Sequence, residues 1–158
     1  MTCHKARLAQ NTQYVTDQAM PTNLMLIVRT ARRRYAVWRD DVMEIKLVAD
    51  ATMMPRDERG QPYIGFELGQ LLDPSDRSEL RRRRALVVLL RRRKVALLAD
   101  RVETFQEHAS VTPLPQLLGA RLSQPWAIGA LVLDDEVIVQ IDLRAVARSA
   151  LSHSSNNN

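Results

Sequence analysis

The chain has 158 residues, of which 46% are hydrophobic and only 4% aromatic, so it is long enough for one domain with an aliphatic core. Its 23 lysines and arginines outnumber 18 acidic residues and give a net charge of +5, a balance that can favour nucleic acid or anionic lipid. The lone cysteine, Cys3, excludes a disulfide framework within the chain. No secretory pattern and no run long enough to span a membrane are present. We therefore predict a cytoplasmic protein without membrane insertion.

Both ends of the chain are polar. Residues 1–22 have neither a β nor a helical stripe, and residues 152–158 are a low-complexity stretch of serine, histidine and asparagine. Such segments bury too little apolar surface to fold. We predict disordered tails at both ends and a folded region over residues 23–151.

The folded region contains the same pattern twice. Leu26-Ile27-Val28 aligns with Leu86-Val87-Val88 at a shift of 60 (86 − 26), and the arginine-rich segment 31–34 then falls on 91–94. The copy resumes at a shift of 75 (137 − 62), where segment 62–68 lies over 137–143. A long self-match predicts a duplicated structural unit.

The first copy predicts a β-hairpin, a further strand and a short helix. Residues 24–30 and 34–38 flank the arginine turn and predict the hairpin, in a folded region whose hydrophobic period is mostly two. In the strand 62–68, the face predicted to point inward carries Pro62, Ile64, Phe66 and Leu68. A helical stripe of three leucines follows and ends before Pro74. We place the first barrel at about residues 23–76, followed by a charged linker over 73–84.

The second copy repeats these elements. Residues 85–90 and 94–99 predict a hairpin, and the Asp134-Asp135 pair predicts a turn before the strand 137–143. The face of that strand predicted to point inward carries Val137, Val139, Ile141 and Leu143. A helical stripe over 143–151 predicts a short C-terminal helix. Short strands repeated in this way indicate an all-β fold of two small barrels, the second at about 85–143.

Catalytic patterns are missing from the sequence. His4, His108 and His153 have no cysteine or carboxylate at the spacing of metal ligands. The adjacent pairs Asp40-Asp41 and Asp134-Asp135 face opposite ways on a strand, so they are poor acid–base couples. We therefore predict no enzyme, no cofactor and no metal.

The arginine runs leave two interpretations open. They can be solvated hairpin tips, or they can bind phosphates. Nucleic-acid binding favours basic residues interleaved with aromatic ones, yet only the run 32–34 has aromatic neighbours, Tyr35 and Trp38. We expect no nucleic acid, although a basic barrel that binds it remains an alternative.

Five segments, taken in chain order, match the motifs of one known protein family. Tyr35-Ala-Val-Trp-Arg-Asp-Asp-Val-Met-Glu-Ile resembles "Y-A-[IL]-x-x-x-x-V-x-E-I", and Arg59-Gly60 followed by Pro62 to Leu68 resembles the end of "N-L-R-G-x-x-x-P-V-[IV]-D-L". Segment 93–103 resembles "G-x-x-x-G-L-x-V-D-x-V", and Thr112-Pro-Leu-Pro with segment 128–143 resembles the C-terminal pattern. Over roughly residues 24–151 the chain therefore resembles the CheW-like domain of bacterial chemotaxis coupling proteins.

This resemblance implies two SH3-like five-stranded β-barrel subdomains with a hydrophobic groove between them. It also implies a non-catalytic adaptor that joins the cytoplasmic tip of a chemoreceptor to the regulatory domain of a histidine kinase. By position, Val42 and Glu44 match a segment used for partner contact, and Arg59 matches an arginine beside the receptor-binding groove. Core packing for Val42 and simple exposure for Glu44 and Arg59 are the alternatives.

One difference from the family leaves a further function open. Segment 46–59 is shorter than the family's corresponding stretch. The scaffold could therefore have lost receptor binding and serve another partner. Salt dependence separates this adaptor from a nucleic-acid binder, because phosphate-driven binding weakens steeply as salt rises.

Overall fold

The computed structural model describes residues 24–105, 111–113, 115 and 126–155. This part of the chain is mostly β. Its strands are β1 (Met25–Arg29), β2 (Arg34–Trp38), β3 (Glu44–Val48), β4 (Ile64–Glu67), β5 (Arg83–Leu90), β6 (Arg93–Ala99), β7 (Arg101–Phe105), β8 (Thr112–Pro113), β9 (Ala127–Leu133) and β10 (Glu136–Ile141). Its α-helices are α1 (Leu68–Leu72) and α2 (Leu143–Ser155), and a 3₁₀ turn covers Arg39–Asp41.

The strands form two sheets that exchange elements between the two copies. The first sheet has the order β7-β1-β2-β10-β9-β8, and the second has the order β3-β5-β6-β4. Each hairpin thus pairs with the later strands of the other copy. The sheets therefore do not follow the predicted division into residues 23–76 and 85–143.

Strand registers confirm the duplication. Leu26 pairs with Val37 in the first hairpin, and Leu86 pairs with Leu97 in the second, a shift of 60 for both partners. The parallel pair Ile64 with Val95 likewise corresponds to Val139 with Tyr35, at the shifts of 75 and 60 seen in the sequence. The two copies therefore share backbone pairing as well as sequence pattern.

Both faces of each hairpin are buried. Leu26 and Leu86 belong to the main core, which combines residues of both sheets and both helices. The intervening positions face smaller cores, with Ile27 in that of the first sheet and Val87 in that of the second. Burial on both faces explains why these strands read as continuous apolar runs.

Two predicted strand faces differ from those observed. Val137 was expected to point inward but is 66% exposed, whereas Ile138 is fully buried in the first-sheet core. A register irregularity between Gln140 and Ile141 lets β10 bury both of these neighbours. In the first copy Ile64 is 44% exposed. At both sites the buried residue is the neighbour of the expected one: Ile138 next to Val137, and Tyr63, which is 6% exposed, next to Ile64.

The connecting elements follow the predictions more closely. The helix α1 has the predicted position, and Asp134 and Asp135 form the predicted turn with φ angles of 51° and 62°. The strand β5 begins at Arg83, inside the segment predicted to be a linker. The helix α2 begins as predicted but continues to Ser155, so residues 152–155 are helical rather than part of a tail. The predictions for residues 1–22 and 156–158 lie outside the described residues.

Candidate interaction surfaces

Val42 follows the 3₁₀ turn and lies in the main core. Its backbone N–H donates to the carbonyl of Arg39 over 3.1 Å, and the Arg39 guanidinium donates to the carbonyl of Val42 over 2.6 Å. These two bonds direct the side chain inward, where it is 2% exposed. The prediction that Val42 contacts a partner directly does not fit this burial, and its role is core packing.

The exposed side chains of this segment are the neighbours of Val42. Met43, Ile45 and Leu47 are 40%, 38% and 57% exposed, and together they form the β3 stripe. The strand β3 lies at the end of the second sheet and pairs only with β5 among the described strands. The apolar stripe therefore borders an open sheet edge, an arrangement that can accept a partner. In the sequence this stripe is visible as three apolar residues that alternate with Glu44, Lys46 and Val48, a pattern that our sequence analysis did not identify.

Glu44 is held in place by its neighbours on the opposite face of β3. The Tyr63 hydroxyl donates a 2.7 Å hydrogen bond to its carboxylate, and the Lys46 ammonium lies 3.5 Å away. Lys46 also lies 5.0 Å from the centre of the Tyr63 ring. Burial raises the pKa of Tyr63, and the hydrogen bond to Glu44 raises it further. The Glu44 carboxylate is thus partly exposed at the edge of the second-sheet core and is held there by Tyr63 and Lys46.

Arg59 lies in a tight turn before β4. The Asp57 carboxylate accepts hydrogen bonds from the backbone N–H groups of Arg59, at 2.8 Å, and of Gln61, at 2.9 Å. The bond from Gln61 contributes most to lowering the pKa of Asp57; burial opposes this, and the bond from Arg59 adds to it. Gly60 adopts a φ of 76°, which a residue with a Cβ rarely takes. The turn therefore fixes the backbone beneath an exposed arginine.

The Arg59 side chain borders a cleft of about 480 Å³, here called the Arg59 cleft. Tyr63 and Ile64 line it on one side, and Arg92, Arg93 and Lys94 from the tip of the β5–β6 hairpin line the other. These elements all belong to the second sheet or the loop before it. Tyr63 lines the cleft together with Arg59 and donates a hydrogen bond to Glu44, whereas the Val42 side chain lies in the main core.

Several arginines that suggested nucleic-acid binding have structural partners. Arg34 pairs with Glu136 at 2.9 Å, and the buried Arg83 pairs with Glu67. Tyr35 is 3% exposed and packs edge-to-face against Trp126, so its ring is not available to stack on a base. These contacts weaken the nucleic-acid alternative.

Within the described residues, no group of three or more histidine, cysteine or acidic side chains is placed to hold a metal ion. Among their helices, none is both long and apolar enough to cross a bilayer.

Comparison with known proteins identifies the fold and the family. The chain is similar to the scaffolding protein TtCheW from Thermoanaerobacter tengcongensis, with a TM-score of 0.59 and 19% identity over 79% of this chain and 92% of that one. No curated protein sequence matches it. The model of the CheW-like domain matches residues 25–151, which include every described strand and most of α2. The chain therefore belongs to the CheW-like domain family.

Proposed function

We propose that this chain is a non-catalytic adaptor of a chemosensory pathway, which couples a chemoreceptor to a histidine autokinase. Membership of the CheW-like family supports this role, as does likeness to a protein described as scaffolding. The observation that carries the proposal is the β3 stripe. Its three apolar side chains border an open sheet edge beside the positioned carboxylate of Glu44.

The chemistry of the β3 stripe suits a protein partner. Leu47 and its two stripe neighbours present apolar area that a partner would remove from water, and burial of apolar area favours association. The open backbone edge of β3 can pair with a strand of the partner. Glu44 and Lys46 lie on the opposite face and would set the orientation through charge. We assign the β3 stripe to the regulatory domain of the kinase.

Titration calorimetry with the regulatory domain of a histidine kinase from the same genome tests this assignment. Leu47→Asp places a charge on the stripe and should weaken micromolar binding by roughly tenfold or more. Val132→Asp is the matched control, because Val132 is 70% exposed on the first sheet. Val42→Asp is unsuitable because it buries a charge in the main core. Equal loss in both variants, or no binding by the folded wild type, would contradict the assignment.

The receptor contact is assigned to the Arg59 cleft. An exposed guanidinium offers several donors to carboxylates or carbonyls on a receptor helix. A fragment of a receptor's cytoplasmic tip should bind the wild type. Arg59→Glu should weaken that binding and leave binding to the kinase regulatory domain unchanged. If Arg59→Glu leaves receptor binding unchanged, the Arg59 cleft is not the receptor site.

The charge of the Arg59 cleft favours a second candidate, an adaptor with a different partner in place of the receptor. Four basic residues, Arg59, Arg92, Arg93 and Lys94, outnumber the acidic Asp57 and Glu58 in the lining of the cleft, whereas the resemblance implies a hydrophobic groove. A protein with acidic side chains would suit this lining better than an apolar helix face. Kinase binding without receptor binding would select this second function.

A further inference from the structure

A second and larger groove lies between the tip of the β5–β6 hairpin and the helix α2. It has a volume of about 860 Å³ and is here called the arginine groove. Arg91, Arg92 and Arg93 line it from the hairpin, and Arg144 and Arg148 line it from the helix. Five guanidinium groups on one concave surface create a strong positive potential.

Most of this charge is not neutralised within the described part of the chain. Arg144 pairs with Asp41, with 3.1 Å between Nε and Oδ1. The other four arginines make no ion pair with any residue that the structure describes. The arginine groove therefore has cations without matching carboxylates.

In the first copy of the repeat, the arginines of the corresponding hairpin tip have polar partners within the chain. There the hairpin-tip Arg33 lies 4.0 Å from the carboxylate of Asp73, which follows α1. The tip residue Arg32 donates a 3.0 Å hydrogen bond to the hydroxyl of Ser75. The first hairpin tip is thus held against the end of its neighbouring helix by polar contacts.

The residues of the second copy that align with this ion pair differ from it in one charge. Arg33 corresponds to Arg93 at the shift of 60 (93 − 33), and Asp73 corresponds to Arg148 at the shift of 75 (148 − 73). The second copy therefore has two arginines where the first has an arginine and an aspartate. The second copy thus lacks the internal carboxylate of the first, and a carboxylate that pairs with Arg93 and Arg148 has to be supplied by a ligand.

Apolar side chains in the arginine groove narrow the choice of ligand. Leu89, which is 46% exposed, lines it with Leu90 and Leu151. No aromatic side chain lines it among the described residues, so base stacking has no platform there. A ligand that satisfies this surface combines carboxylates with apolar groups.

The undescribed segments of this chain are poor candidates for the occupant. Residues 1–23 contain the single acidic residue Asp17 against Lys5 and Arg7, and residues 106–125 contain only Glu107 against Arg121. Neither segment has the negative charge that the arginine groove requires. A partner protein is therefore the occupant that the charges of the arginine groove favour.

We propose that the arginine groove is a docking site for an acidic amphipathic helix of a partner protein. A carboxylate of that helix lies between Arg93 and Arg148 and supplies the negative charge that Asp73 supplies in the first copy. Apolar side chains one turn away cover Leu89 and Leu151. This contact is separate from the β3 stripe. It shares Arg92 and Arg93 with the Arg59 cleft but is defined by Arg148 and Leu151 of α2, which do not line that cleft.

Fluorescence anisotropy of a labelled helical peptide tests the proposal on the full chain. The probe is an amphipathic peptide with leucines on one face and glutamates one turn apart beside them, measured at about 0.15 M salt. A second peptide has glutamine in place of each glutamate. The protein variants are Arg148→Asp, which recreates the charges of the first copy, and Arg77→Asp, which makes the same charge change in an exposed loop.

The expected result is binding of the glutamate peptide that falls roughly tenfold or more with the glutamine peptide or with Arg148→Asp. Arg77→Asp should bind like the wild type. Arg148→Asp should also keep or raise the thermal midpoint, because the introduced carboxylate would pair with Arg93; if this variant does not fold, Arg148→Gln takes its place.

Three outcomes would overturn the proposal. One is no binding of the glutamate peptide, and another is equal binding of both peptides. The third is an equal effect of Arg148→Asp and Arg77→Asp, which would indicate unspecific attraction. Vesicles containing phosphatidylserine and a DNA duplex serve as parallel probes. Tighter binding to either one that is lost in Arg148→Asp would assign the arginine groove to a membrane or to nucleic acid instead.

Discussion

At the residue scale, a buried ion pair closes one end of the second sheet. Arg83, at the start of β5, is 7% exposed and pairs with Glu67, at the end of β4. The Arg83 guanidinium also donates to the carbonyl of Leu80 over 2.8 Å. Removing one partner from such a pair leaves a charge without compensation, and this usually costs more than the pair itself contributes.

Glu67→Ala should therefore lower the free energy of unfolding by about 2 to 3 kcal/mol, less than for a fully buried pair because Glu67 is partly exposed. Arg82→Ala is the matched control on an exposed neighbour and should change stability by less than about 0.5 kcal/mol. Urea unfolding measures both variants. Equal, small effects would show that the pair contributes little.

The turn that positions Arg59 makes stability depend on pH. The pKa of Asp57 is lower in the folded protein because its carboxylate accepts the backbone N–H bonds of Gln61 and Arg59. A group with a lowered folded pKa stabilises the protein above its unfolded pKa of about 3.9, and this contribution is lost as pH falls through the folded pKa.

Asp57→Asn should remove this contribution. Its deficit in unfolding free energy relative to the wild type should be largest near neutral pH and should shrink as the solution is acidified below about pH 4. Urea unfolding at a series of pH values measures the difference. A deficit that stays constant through this range would mean that ionisation of Asp57 does not stabilise the turn.

At the element scale, α2 begins at a side-chain cap. The Asp142 carboxylate accepts a 2.9 Å hydrogen bond from the backbone N–H of Ala145, three residues ahead. This bond satisfies one of the N–H groups that the first turn of a helix leaves without a partner. The helix then packs Val146 and Ala147 into the main core.

Asp142→Ala should lower the free energy of unfolding by about 1 kcal/mol, because the first turn loses its cap. Asp142→Ser keeps an acceptor at the same place and should retain most of the stability. Thermal unfolding followed by circular dichroism compares the two variants. If serine and alanine are equally destabilising, the hydrogen bond to Ala145 is not the cause.

The positions of most elements were predictable from the sequence, and the faces that the strands bury were not. The hairpins, the helix α1 and the Asp134-Asp135 turn could be read from apolar runs and turn residues. The faces of β10 could not, because Ile138 and Ile141 are both fully buried although they lie on opposite faces in a strictly alternating strand. Neither the hydrophobic period nor the charge pattern of the sequence shows which β10 side chains face the main core and which face the first-sheet core.

The same limit applies to the candidate sites. Arg59 was found on the surface by its motif, but the partner of Glu44 is Tyr63, nineteen residues away in sequence, and no local pattern indicates that contact. Val42 lies in the motif too, yet its backbone bonds to Arg39 turn it inward. A motif locates a segment, and the surrounding packing decides which of its side chains reach solvent.

At the scale of the whole molecule, the sequence repeat and the sheets divide the chain differently. The repeat indicates two copies in succession, whereas each sheet combines the hairpin of one copy with later strands of the other. Sequence similarity shows the duplication, but it does not show whether a strand pairs within its own copy or with the other copy. This exchange makes the two sheets and the main core between them parts of one cooperative unit.

The exchange predicts that the first half of the chain cannot fold alone. In a fragment of residues 1–80, β1 and β2 can still pair with each other, but β3 and β4 lack β5 and β6, the strands with which they pair. An isolated two-stranded hairpin is marginally stable in water. The fragment should therefore give a poorly dispersed amide NMR spectrum, and so should the complementary fragment 81–158, in which β7 lacks β1 and β10 lacks β2. Mixing the two fragments in equal amounts should restore dispersion, because every described strand regains its partner. A dispersed spectrum from fragment 1–80 alone would mean that the strands of one copy can pair with each other, and that the exchange is one of two available arrangements.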